Sequence, residues 1–171
     1  MTTALIDGDI VNYRVGFTTE DVDFPIAKYR VDEMIDDILN MTHADEFQIY
    51  LTAEKDTTAF RKVCFPDYKA NHKAEKPKHY HAIRRYMNEE WGAETVQTIE
   101  ADDALGMAQT PKTIICSIDK DLLQIQGRHY NFVKKEFSSV SEKDGLVAFY
   151  TQLIAGDTSD NLKCLKGRGP A

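Results

Sequence analysis

Four short apolar runs in this chain each stop at a carboxylate: Ala4–Ile6 at Asp7, Phe47–Thr52 at Glu54, Thr95–Ile99 at Glu100, and Ile114–Ile118 at Asp119. Acids recur in four clusters, Asp7-Gly8-Asp9, Glu100-Ala101-Asp102-Asp103, Asp119-Lys120-Asp121 and Gly156-Asp157-Thr158-Ser159-Asp160. Ligands of an open parallel sheet bind just outside the carboxyl ends of its strands, so if these runs are neighbouring parallel strands their acids converge in one crevice. Crowded carboxylates raise one another's pKa, and burial adds to the cost of keeping them charged. A hard, oxygen-seeking ion such as Mg²⁺ or Mn²⁺ relieves both. Two such ions roughly 3.5–4 Å apart clamp the attacking and leaving oxygens of a displacement at phosphorus. One acidic cluster is commonly a turn or a helix cap; four of them, three at expected strand ends, point to metal-dependent phosphate chemistry.

The charge distribution supports a phosphate-bearing substrate. The net charge is −7, yet residues 61–85 hold eight Lys or Arg against two acids, a local +6 that leaves −13 for the rest of the chain. A basic segment beside an acidic crevice suits an enzyme that grips phosphates with one part and holds metal with another. His79 and His81 fall in this basic stretch and read as solvated. Three widely spaced cysteines (Cys64, Cys116, Cys164) without a CxxC speak for a reducing compartment and against disulfides or a zinc site. No apolar run approaches membrane-spanning length and no signal peptide is evident, so a cytoplasmic protein is expected.

The elements that must position these residues alternate in type. Apolar residues from Ile26 to Leu39 recur near helical spacing, and a strand at Phe47–Thr52 follows. Residues 57–76 read as irregular or partly helical. Pro77 suits a first helical turn, followed by the stripe Tyr80, Ile83, Met87 and Trp91, with Gly92 as the stop. A strand over Glu94–Ile99, a short helix over Asp102–Gln109, a strand over Thr113–Ile118, a helical turn at Leu122–Leu123 and a strand near Tyr130–Val133 come next. Ser141 is placed to cap a helix with apolar residues at Leu146, Phe149, Tyr150, Leu153 and Ile154, and Gly156–Ala171 reads as loop. The fold class expected is α/β, one domain over residues 1–171, with a mainly parallel central sheet flanked by helices.

Taken in order, Leu5-Ile-Asp7-Gly-Asp9…Tyr13-Arg14, Phe60-Arg61…Tyr68-Lys69-Ala-Asn71, Glu100-Ala-Asp102-Asp103, Ser117-Ile-Asp119-Lys-Asp121 and Gly156-Asp157-Thr-Ser-Asp160-Asn161 resemble the 5′-nuclease family. That family comprises flap endonucleases, the 5′→3′ exonuclease domain of bacterial DNA polymerase I and phage 5′-exonucleases, the last being the most similar through YKANHK, SIDKD and GDTSDN. The resemblance implies a PIN-like fold and Mg²⁺- or Mn²⁺-dependent cleavage near 5′ ends of DNA, or of RNA paired to DNA, in a bacterial or phage-infected cell. It implies one metal cluster from Asp7, Glu54, Glu100, Asp102 and Asp103, and a second formed or supported by Asp119, Asp121, Asp157 and Asp160. Lys69 would stabilise charge developing on the scissile phosphate, beside the catalytic acids Asp7, Asp102 and Asp119. Tyr13 would stack on the nucleotide next to the cut. Arg14 would grip a phosphate, and Arg61, Tyr68, Asn71, His72, Lys73 and Lys76 would contact nucleic acid within an arch over about residues 55–85.

Two departures stand out. His72 occupies the position where the arch motif usually has arginine, and neither Lys73 nor Lys76 offers a bidentate fork. Residues 162–171, including Cys164-Leu-Lys-Gly167-Arg-Gly169, resemble the start of a helix–three-turn–helix that grips duplex DNA with a K⁺ ion, and the sequence stops inside that motif. Two other readings share some features. A haloacid-dehalogenase-type phosphatase would use Asp7-Gly-Asp9 as nucleophile motif, but its late acidic motif should follow a strand, where residues 146–154 have helical periodicity. A PIN-like ribonuclease would share the acidic crevice but lack the basic arch.

Overall fold

The computed structural model describes residues 1–55, 59–70 and 75–162. A six-stranded sheet runs in the order β3-β2-β1-β4-β5-β6, with β1 at Thr3–Asp7, β2 at Glu46–Thr52, β3 at Glu94–Val96, β4 at Thr113–Cys116, β5 at Gly127–Asn131 and β6 at Glu136–Val140. The first five are mutually parallel and β6 pairs antiparallel with β5. Strands β1 and β4 are short and almost wholly apolar, as strands covered on both faces must be. The expected α/β fold with a mainly parallel sheet is therefore observed, and the four strands expected to end in acids are adjacent.

Helices cover both faces. On one side α1 (Gly8–Thr18), α2 (Phe24–Thr42) and α4 (Tyr80–Glu90) enclose Ile6, Val15, Val31, Ile35, Ile49, Leu51, Ile83 and Met87, all essentially inaccessible. On the other, α5 (Ala101–Ala108) and a 3-10 helix (Lys120–Gln124) bury Leu5, Leu105, Ile115 and Leu122. At roughly 1.5–3 kcal/mol for each large apolar side chain removed from water, these two clusters are the main favourable contribution to folding. Gly8 is a packing requirement: a Cβ there would lie 2.6 Å from the Tyr50 carbonyl oxygen, so α1 crosses β2 at backbone contact. A short helix α3 (Phe60–Cys64) interrupts the basic stretch, and α6 (Glu142–Ala155) closes the described chain.

Several expected boundaries move. Strand β3 stops at Val96, because the chain turns at Thr98, whose φ is +65°. Helix α4 begins at Tyr80, three residues after Pro77, since the Lys78 amide donates to Glu20 Oε1 at 2.9 Å and is held outside the helix. His79 is not solvated as expected: it is buried, with Nε2 2.8 Å from the Val22 carbonyl oxygen. Strand β6 is a polar edge strand with one buried residue, Val140, so it carries little apolar periodicity. Helix α6 forms where expected, with Ser141 Oγ accepting the Asp144 amide. Its apolar residues Leu146, Phe149, Tyr150, Leu153 and Ile154 stay half exposed.

Candidate active site

The acid-bearing turns lie together at the carboxyl end of the sheet. Asp7 is both the last residue of β1 and the N-cap of α1, with Oδ1 accepting the Ile10 amide at 3.1 Å. Its Oδ2 accepts the Ser117 hydroxyl at 2.7 Å, and Ser117 Oγ in turn accepts the Asp119 amide at 3.0 Å. Asp119 caps the 3-10 helix through the Asp121 amide at 2.9 Å. This flank therefore joins the ends of β1 and β4 through neutral donors only. Burial, with Asp9 and Asp119 nearby, pushes the Asp7 carboxyl up to about 7 against the opposing Ser117 and Ile10 hydrogen bonds.

The opposite flank is held by cations. Glu100 and Asp103 form a reciprocal capping box at the start of α5. The guanidinium of Arg61 binds both oxygens of Asp103, with Nη2 2.6 Å from Oδ1, and lies 3.4 Å from Glu100. Lys69 Nζ donates to Glu100 Oε1 at 2.9 Å and lies 3.8 Å from Asp160; the Tyr68 hydroxyl donates to Glu100 Oε2 at 2.7 Å. Burial acts to lower the Lys69 ammonium, but Glu100 and Asp160 outweigh it and hold it above its usual value. Among the described residues Asp102 makes no comparable ion pair. Burial, then Glu100 and Asp103, push it up to about 6.

The Gly156–Asn161 loop joins the two flanks. The Lys69 amide donates to the Asp160 carbonyl at 3.1 Å, and Asn161 Nδ2 to the Asp67 carbonyl at 2.9 Å. Lys69 and Asn161 both have positive φ, 53° and 59°, so two tight turns dock against each other. Asp157 accepts Gln152 Nε2 and the Ser159 amide, both at 2.7 Å; these outweigh burial and lower its pKa. Asp121 is raised by burial and by Asp119 and Asp157, and Asp160 by burial against the opposing Lys69. A cavity of about 870 Å³ is lined by Arg61, Tyr68, Asp102, Asp103, Asp121 and Asp160, with Met107, Phe149 and Leu153 as an apolar wall.

The carboxylates are thus shared between two groups, and Glu54 joins neither. Lys76 Nζ donates to it at 2.6 Å and His81 Nδ1 lies within 3.1 Å, which outweighs burial and lowers its pKa. Lys76 is therefore engaged with a carboxylate, and its ammonium also sits 4.4 Å over the Tyr80 ring. Tyr13 is half-buried between Phe17 and Tyr80, at centroid distances of 6.0 and 5.1 Å, while Arg14 is exposed and faces a separate groove with Met34 and Phe132. Asn71, His72 and Lys73, and all but Leu162 of the suggested helix–three-turn–helix, lie outside the described residues. Sequence reasoning missed Ser117 as the donor to Asp7 and Gln152 as the donor to Asp157. It also missed Arg84, buried in an ion pair with Asp9 at 2.7 Å. Position inside SIDKD was a signal for Ser117; nothing marked the other two.

Oxygen donors, with Asp7 buried and Asp102 half-buried and neither paired to a cation among the described residues, suit a hard divalent cation better than a soft one. Among the described residues no three acidic, His or Cys side chains are gathered closely enough to hold one ion. Arg61 pairs with Asp103, Lys69 with Glu100 and Lys76 with Glu54.

A family model described as the 5′-3′ exonuclease, N-terminal resolvase-like domain matches residues 2–151. The chain belongs to this family. The sequence comparison with curated proteins found no match. Among solved structures, the chain is similar to a bacteriophage T5 protein co-crystallised with metal ions, with 16% identity, a TM-score of 0.74, and coverage of 99% of this chain and 72% of that one. Zinc-bound T5 5′-exonuclease matches at 16% identity and a TM-score of 0.73, over 99% and 72% of the two chains. A T5 flap endonuclease in a pseudo-enzyme–product complex with DNA and metal ions matches at 16% identity and a TM-score of 0.74, over 99% and 71%. At this identity the likeness concerns the fold, and it agrees with the PIN-like 5′-nuclease architecture. No helix among the described residues is long and apolar enough to cross a membrane.

Proposed function

We propose that this chain is a divalent-metal-dependent 5′-nuclease that hydrolyses phosphodiester bonds near the 5′ ends of DNA. The observation that carries the reading is the half-buried carboxylate Asp102, which lines one cavity with Asp103, Asp121, Asp160 and Arg61 at the carboxyl end of a parallel sheet, beside buried Asp7 that Ser117 joins to the Asp119 turn. Family membership and the DNA- and metal-containing T5 neighbours support it. Asp7, Glu100, Asp102 and Asp103 would hold one ion, with Glu54 joining after release from Lys76; Asp119, Asp121, Asp157 and Asp160 would hold or orient the second. Bound Mg²⁺ or Mn²⁺ supplies the nucleophile activation and charge neutralisation of two-metal phosphodiester hydrolysis.

The chain's own residues do the rest. Lys69 and Arg61 exchange their carboxylate partners for the substrate phosphate, so each cation neutralises charge developing in the transition state. Ser117 and the Ile10 amide orient Asp7. Tyr13 offers a ring face to a base, with Tyr80 fixing its orientation. The phosphatase alternative gains no support: Gly156–Asp160 follows helix α6 rather than a strand, and Asp9 is engaged by Arg84.

The direct test is cleavage of a 5′-labelled flap or overhang duplex with Mg²⁺, with EDTA, and with Asp119→Ala. Metal-dependent release of short 5′ products, lost in the variant, is expected. An RNA-primed duplex in parallel tests RNA–DNA hybrids as substrate. Equal turnover by Asp119→Ala would remove Asp119 from the site.

A further inference from the structure

Arg84 belongs to the basic stretch that the sequence assigns to nucleic acid, yet it points inward. Its side chain is 6% exposed, against the many exposed cations of residues 61–85. Its guanidinium makes two hydrogen bonds: Nη1 donates to Asp9 Oδ1 at 2.7 Å, and Nη2 to the Thr52 carbonyl oxygen. It lies 5.6 Å over the Tyr80 ring, which closes the remaining face. The other oxygen of Asp9 accepts the Thr52 amide at 3.1 Å, so Arg84, Asp9 and Thr52 form a closed polar triangle. Both Asp9 oxygens are thereby occupied, and Asp9 is a counter-ion rather than a free carboxylate of the crevice.

The triangle connects two turns that carry the candidate metal ligands. Asp9 stands two residues beyond Asp7, in the first turn of α1. The hydroxyl of Thr52 accepts the Ala101 amide at 2.9 Å, and Ala101 sits between Glu100 and Asp102 at the start of α5. A single guanidinium on α4 thus ties the end of β2 to the Asp7 turn directly and to the Glu100–Asp103 turn through Thr52. We propose that Arg84 and Asp9 are positioning residues that set the separation of the two carboxylate-bearing turns, and so govern divalent-cation affinity without contacting DNA. This rests on the nuclease reading. A planar fork suits the task, because two separate nitrogens hold a carboxylate and a backbone carbonyl in one fixed geometry, which a single ammonium nitrogen does not fix.

The test is titration of the metal-free protein with Mn²⁺ by calorimetry, well below the melting temperature, on wild type, Arg84→Lys and the charge-neutral pair Asp9→Leu with Arg84→Met. Cleavage kinetics on a 5′-flap duplex run alongside. Arg84→Lys keeps the charge and loses one of the two hydrogen bonds, so it is expected to fold, to weaken Mn²⁺ binding about 10-fold or more, and to lower kcat at sub-saturating metal. KM for DNA at saturating metal should change less than about twofold, in keeping with a residue that touches no phosphate. The neutral pair removes the triangle without stranding a buried charge, and should bind Mn²⁺ as weakly or more weakly. A raised KM with unchanged Mn²⁺ affinity would make Arg84 a DNA contact, and a lower melting temperature alone would make it a structural ion pair; either overturns the proposal. Failure of the wild type to bind Mn²⁺ or cleave would instead refute the nuclease reading beneath it.

Discussion

The two flanks of the crevice solve the same electrostatic problem in different ways. Where β1 and β4 end, Asp7 is held by a hydroxyl and a backbone amide, with no cation among its described partners, and its carboxyl rises to about 7. At the start of α5, Glu100 and Asp103 are held by Arg61 and Lys69 from the basic stretch. One flank meets its carboxylate with neutral donors and a raised pKa, the other with ion pairs. Long cationic side chains from the basic stretch reach the α5 turn, while Asp7, 5% exposed, is met by neutral donors. Under the proposed nuclease reading, a divalent ion would displace a proton on the first flank and Arg61 and Lys69 on the second, freeing those cations for a phosphate.

The largest effects should come from acids without a cation of their own. Asp102→Ala is expected to reduce cleavage by at least about 10³-fold while leaving the metal-free melting temperature equal or higher, because like charge and burial already destabilise ionised Asp102. Wild-type turnover by this variant would break the comparison at its centre. Next, Lys69→Ala should lower kcat by roughly 10²–10³-fold with KM for DNA little changed. A loss confined to affinity would make Lys69 a binding residue only.

A mid-sized effect separates proton storage from ion pairing. The folded pKa of Asp7 is raised from 3.8 to about 7, so the native state holds a proton that the unfolded state has lost between those values. The associated stability is present below pH 3.8 and lost as pH rises through 7. Asp7→Asn should therefore stabilise the metal-free protein little near pH 4 and by about 4 kcal/mol at pH 8, read by chemical denaturation in EDTA. A pH-independent gain would show that Asp7 is not proton-loaded. The smallest effect is expected on the other flank: Arg61→Ala frees Asp103 and Glu100, and should tighten Mn²⁺ binding in the absence of DNA a few-fold while weakening DNA binding. Weaker Mn²⁺ binding would mean that Arg61 assembles that flank rather than competing for it.

Much of this arrangement was legible in the residues. Apolar runs ending in acids placed β1, β2 and β4 and put Asp7 and Asp119 at their ends, because a strand buried on both faces has no room for polar residues until it reaches the rim. Ser141 and the spacing after it placed α6. Edge strand β6 was not legible, since an edge exposed on both faces needs no apolar pattern.

By itself, then, the sequence determined the family, the parallel sheet and the set of acids, because each depends on local patterning or motif order. Only the tertiary structure decided how those charges are partnered. Arg61, Lys69 and Arg84 are similar as letters in one basic stretch, yet two lie over the crevice on carboxylates and the third is buried behind it against Asp9. His79 is likewise buried where His81 is exposed. Charge partnering joins residues far apart in the chain, Asp9 with Arg84 across 75 residues and Lys69 with Asp160 across 91. No local pattern encodes such distances.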